Sequence, residues 1–136
     1  MPTTPSPSAA LRELLETKLD TLEKLELVLA VRMAPDQTSS ADLLARELQI
    51  GPGVLQRLAA VVATDGLVGL AGTQISLVAT PDELVLLAEA AQLYADHRHL
   101  VMRLLSTIAM EQIRRMAART FSDAFQFRKK KSDPDG

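Results

Sequence analysis

The sequence contains no cysteine, which excludes disulfides, thiolate metal sites and a cysteine nucleophile. It has no tryptophan, one tyrosine and three phenylalanines, too few to build the aromatic platform on which single-stranded nucleic acid stacks. No apolar run approaches the ~20 residues that a membrane-spanning helix needs. His97 and His99 are the only histidines. Two positions apart on a helix, they diverge by about 200° and cannot share a metal. There is no G-x-S-x-G turn and no phosphate-binding glycine loop. Gly51-Pro52-Gly53 reads as a chain turn, and Asp82-Glu83 as helix capping rather than an acid–base pair. The expectation is a chain that is not an enzyme and has no cofactor, no bound metal and no membrane partner. Met1–Ser8 holds three prolines but no basic start and no apolar segment. It reads as a disordered lead rather than a secretion signal.

What is present is a core's worth of apolar residues. Of the 136 residues, 47% are hydrophobic, enough for one packed, cytoplasmic domain. Charge is unevenly placed. Residues 1–97 carry six basic and thirteen acidic groups, a balance of −7. Residues 98–131 carry nine basic and two acidic groups, a balance of +7. Such asymmetry marks a site for an anionic partner, an attraction between halves or copies, or a solvated arginine-rich helix face.

Periodicity supplies the elements. Leu15, Leu22 and Leu29 recur every seven residues within Ala9–Met33, which predicts one long helix whose leucine face packs inward or on a second copy. Pro35 ends it. Ser39 or Ser40 caps a short helix to Leu48; after the glycine-proline turn a second runs to Thr64, with Leu55, Leu58, Ala59 and Val62 inward. Asp65-Gly66 stops that helix. Leu67–Leu70 and Gln74–Val78 read as strands of a hairpin joined through Ala71-Gly72-Thr73. Thr80-Pro81-Asp82-Glu83 starts another helix, whose apolar pattern continues to Phe127. Unbroken, it would span roughly 70 Å, so it either breaks near residues 94–99 or packs its second half on another chain.

The run Leu44-Ala45, Leu48, Ile50, Leu55, Leu58, Val62 and then Asp65-Gly66-Leu67-Val68 resembles the spine of the winged helix-turn-helix superfamily. Together with the helix start at Thr80, it is similar to MarR-like bacterial transcription regulators over about residues 20–95. The resemblance implies a mainly α winged helix-turn-helix with a short two-stranded wing and long flanking helices. It implies further that the second short helix enters a DNA major groove and that the flanking helices form a dimer.

The residues at those places leave two readings open. The outward positions of the second short helix are Gln56, Arg57, Ala60, Val61 and Thr64. Gln56, Arg57 and Thr64 suit duplex DNA, helped by phosphate contacts from Arg128, Lys129, Lys130 and Lys131. Ala60, Val61 and an uncharged wing suit a protein interface. All three phenylalanines, Phe121, Phe125 and Phe127, fall just before the basic run and offer anchors to a core or a partner. The expected division is a lead at 1–8, a winged-helix domain at 9–95, a dimerisation or docking helix at 96–127 and a disordered tail at 128–136. The expected function is a DNA-binding transcription-regulator module, homodimeric through Leu15, Leu22, Leu29 and the 101–117 stripe. The alternative is an adaptor binding a protein partner through Ala60, Val61 and the phenylalanines.

Overall fold

The structure is a computed structural model that describes residues 6–131, with side chains to Ala124. In chain order the elements are α1 (Ala9–Thr17), α2 (Leu22–Met33), β1 (Thr38–Ser40), α3 (Ala41–Leu48), α4 (Pro52–Thr64), β2 (Val68–Ala71), β3 (Gln74–Leu77), α5 (Pro81–Asp96) and α6 (Arg98–Lys131). A single 3-10 turn, Pro35–Gln37, links α2 to β1.

The expected single helix Ala9–Met33 is two. Lys18–Thr21 breaks it without glycine or proline, because three local interactions favour the break. Leu19 is fully buried, Asp20 pairs with Lys24 at 2.7 Å, and the Thr21 hydroxyl caps α2 by accepting from the Lys24 N–H. The core is built on α2, which touches α3, α4 and β3. Leu25, Leu27, Val28 and Val31 are fully buried on several sides of it, as a helix central to a small domain requires. α1 packs on α5, and α5 on α6. Ser8 is held in place: its hydroxyl caps α1, and its N–H and Oγ donate to the Glu89 carboxylate at 2.8 and 2.7 Å. That hold corrects the lead at its last residue; Met1–Pro5 lie outside the described residues.

The sheet has three strands in the order β1-β3-β2, all antiparallel. The wing is the expected hairpin, with Gly72 at φ 62, the first central position of a two-residue turn, where glycine carries no Cβ penalty. β1 is an addition to the expected pair. Ser39 lies in this strand opposite Ile75, so Ser40 alone caps α3, accepting from the Leu43 N–H at 3.1 Å. The Ala41 N–H then donates to the Thr73 carbonyl at 2.8 Å, tying α3 to the wing turn.

The long C-terminal helix breaks at His97, whose φ of −140° is not helical. Arg98 restarts the chain as α6 and sits 5.2 Å over the Tyr94 ring, a cation–π contact across the break. α6 continues helical through Lys131, past the expected boundary at Phe127. At its other end α5 starts at the Thr80 cap read from the sequence, and the Glu83 side chain completes a capping box with it. No helix among the described residues is long and apolar enough to cross a membrane.

Candidate nucleic-acid interface

The helix-turn-helix is fixed by its turn. Gln49 closes α3 at φ 57, and its N–H donates to the Arg46 carbonyl at 3.2 Å. Gly51 precedes α4, and Pro52 occupies the first helical position, where its missing N–H costs nothing. Leu55, Ala59 and Val62 then anchor α4 in the core. This rotation presents Gln56, Arg57, Ala60, Val61 and Thr64 to solvent, all five as expected.

These five differ in what they offer. Among the described residues Arg57 has no ion-pair partner. Gln56 edges an open cleft of about 310 Å³ between α4 and the wing, lined also by Leu70, Thr73 and Ile75. The Thr64 hydroxyl donates to the Ala60 carbonyl at 2.9 Å, so its proton is used inside the helix and only its lone pairs remain for a partner. Val61, 45% exposed, and Val54, at the start of α4, surround the polar pair with apolar surface. Leu70 adds to it from the wing. The reading from sequence missed Val54 and Leu70. Leu70 shares a strand face with buried Val68 and was masked by that alternation, but it lies beyond the end of the core.

The leucine spacing has a different outcome. Leu15 is only 2% exposed and belongs to the chain's own core, so it is not a surface contact. Leu22 and Leu29 lie half-buried against that core on α2. Because the chain breaks between α1 and α2, the three leucines do not form one seam, and their spacing reflects internal packing.

The expected 101–117 stripe is two faces of α6. Val101, Leu105 and Ile108 are buried against the domain. Ala109, Ile113, Met116 and Ala117 point about 100° further round the axis and are exposed. The last attachments are polar. Glu111 meets Arg12 at 3.2 Å, and the Gln112 amide donates to Asp20 at 3.0 Å. From residue 113 to 124 every side chain is exposed, including Ile113 at 62% and Phe121 at 73%. Arg114, Arg115 and Arg119 ride on the same exposed stretch, Arg115 4.0 Å from Glu111. The side chains of Phe125, Phe127, Arg128, Lys129, Lys130 and Lys131 lie outside the described residues.

Two carboxylates brace the frame around this surface. Burial alone would raise the Asp20 pKa, but hydrogen bonds from Lys24 and Gln112 hold it below its usual range. Glu83 behaves alike. Burial is opposed by the Lys18 ammonium at 2.6 Å and the Thr80 N–H, and its pKa is lowered. His97 and His99 are both exposed, flanking the break after α5. No group of three or more potential metal ligands occurs among the described residues.

Helix-turn-helix, three-stranded wing sheet and flanking helices together define a winged helix-turn-helix fold of the MarR-like kind. The chain is similar to a MarR family transcriptional regulator from Streptomyces coelicolor, whose crystal structure matches with a TM-score of 0.52 and 16% identity. The match covers 82% of this chain and 84% of that one. At this identity the likeness is one of fold, on which functions vary. No protein-family model and no curated protein matches the sequence.

Proposed function

We propose that the chain is a transcription-regulator-type module that holds duplex DNA through α4 and the basic end of α6 and works as a homodimer. The observation that carries this reading is the adjacent pair Gln56 and Arg57, exposed on the outer face of the second helix of the helix-turn-helix. These are side-chain types that reach base edges and phosphates. The domain around them is not basic, so the affinity comes largely from the +7 segment 98–131 acting on phosphates. The dimer uses the exposed α6 face at Ile113 and Met116 in place of the leucines. Fluorescence anisotropy of the full chain with a pooled random-sequence duplex, at low and moderate salt, tests this reading. Salt-sensitive binding weakened by Arg57→Glu and by a version ending at Thr120 is the expected result. Absence of binding at low salt overturns it.

A second reading is favoured by the apolar neighbours of that pair. Val54, Ala60, Val61 and Leu70 with an uncharged wing form the surface of an adaptor that docks a protein rather than DNA. Phe121 and the phenylalanines at 125 and 127 then serve as further anchors. Loss of a partner in a pull-down with Val61→Glu, with DNA binding absent throughout, selects this reading.

A further inference from the structure

Two seams of α6 run side by side and change character differently along its length. The first is Val101, Leu105, Ile108, Gln112, Arg115 and Arg119, at alternating steps of four and three. Its first three members are buried against the domain, Gln112 is half-buried and bonded to Asp20, and the two arginines are exposed. This seam turns polar where the domain it faces ends. The second seam lies about 100° round the axis. It is Met102, Ser106, Ala109, Ile113, Met116 and Thr120, again at steps of four and three. All six are exposed, and none is charged on either side of the point where the domain ends.

Period, size and charge together say what fits the second seam. Alternating steps of four and three average 3.5 residues, the repeat that keeps one helix against another along its whole length. The seam is roughly 27 Å long, so its cover is a helix of similar length, and α6 itself, with 34 residues, is one. Laid against a reversed copy of itself, the seam sets Met102 on the partner's Thr120, Met116 on the partner's Ser106 and Ile113 on the partner's Ala109. Every layer then pairs a large side chain with a smaller one. Laid parallel, the large residues meet large and the small meet small, so the layers are alternately crowded and empty. Charge selects the same orientation. A parallel pair lays two +7 segments side by side. In an antiparallel pair the two-fold axis crosses the helices, so the first seams of both copies lie on one flank. Arg115 and Arg119 of each copy then run beside the −7 domain of the other.

We propose that α6 pairs antiparallel with the α6 of a second copy through this second seam, with Ala109 and Ile113 beside the two-fold axis. The inference rests on the homodimer proposed above and adds its orientation and register. It also gives the charge asymmetry of the chain a role, since each basic helix end answers the acidic domain of the other copy.

The chain has no cysteine, so introduced thiols report on this contact alone. Ser106→Cys and Met116→Cys, both at exposed positions of the full chain, are oxidised separately and as a mixture, beside sedimentation velocity of the unaltered protein. A dimer is expected, with a disulfide in the mixture only, joining one copy of each variant. Either variant alone sets its two thiols roughly 15 Å apart along the antiparallel pair, too far for a disulfide. Ile113→Glu is expected to weaken self-association at least ~10-fold, with circular dichroism unchanged because Ile113 is exposed. A monomer overturns this proposal and the homodimer together. A dimer in which each cysteine variant cross-links on its own is parallel, which overturns the proposal and leaves the homodimer standing. A dimer that gives no cross-link, or that Ile113→Glu does not weaken, overturns it as well, by placing the contact elsewhere on the chain.

Discussion

The outward faces of α4 and α6 divide what a nucleic-acid binder usually keeps together. α4 has the shape: a helix held by a tight turn, projecting beside a wing. Its exposed surface carries one charge, Arg57, among valines and alanines. α6 has the charge, with Arg114, Arg115 and Arg119 on a stretch whose side chains are exposed from residue 113 to 124. On the proposed DNA-binding reading, shape on one helix and charge on another means that neither alone suffices. Under that reading, sequence-dependent contacts and phosphate attraction would be separable by mutation, where a basic recognition helix would confound them.

The largest effects come from contrasting buried with exposed positions on the same two helices. Leu55→Ala and Ile108→Ala are each expected to cost ~2–5 kcal/mol in chemical denaturation. Val61→Ala and Ile113→Ala should stay within ~0.5 kcal/mol, and a large loss at either would mean that the face is internal. Ile113→Glu should instead lower self-association in sedimentation velocity, with monomer stability unchanged.

On the binding side, Arg57→Glu and Arg119→Glu sharpen the division between the helices. Each is expected to reduce the slope of log affinity against log salt by about one phosphate contact. Only Arg57→Glu should also flatten the preference among duplex sequences, measured by selection from the random pool. Equal flattening by both would place base contacts on α6.

A smaller effect falls on the frame. Thr80→Ala removes the cap and capping box of α5 and is expected to cost ~1 kcal/mol, read as a lower denaturation midpoint.

The smallest effect is pH-dependent. Asp20 and Glu83 have folded pKa values below their ordinary 3.8 and 4.5, so the folded chain holds these protons less readily than the unfolded chain does. Their contribution is complete above 4.5 and is lost as pH falls through that value and below 3.8 towards the folded pKa values. Lys18→Met and Lys24→Met should each flatten this acid dependence in denaturation midpoints measured between pH 5 and 3.

Most of the helix-turn-helix was readable because its signals are local. Pro52 after a glycine, the 3.6-residue spacing of Leu55, Ala59 and Val62, the Asp65-Gly66 stop and the Thr80 cap each depend on a few adjacent residues. Gly66 does adopt a φ of 80°. The outward set on α4 followed from the same spacing. β1 was not readable. Thr38-Ser39-Ser40 has no apolar alternation, and its strand state comes from pairing with β3, more than thirty positions away. The α1–α2 break has one local signal, Thr21 as a cap with Glu23 in the following turn, outweighed by the run of leucines on both sides. On α6 the apolar residues of the two faces are equally hydrophobic, so periodicity alone merged them. Only the place where α1 and α5 end decides which face is covered.

β1 also has a kinetic consequence. Thr38 meets Ser76 across the whole helix-turn-helix, a loop of 38 residues. Closing such a loop in a flexible chain costs ~3 kcal/mol of entropy, more than one three-residue ladder returns. Packing α3 on α4 beforehand shortens the free chain to be closed and removes most of that cost. The outer edge of the sheet is therefore the last part of the winged helix to form and the first to open, and its amide protons should exchange ahead of those in β2 and β3.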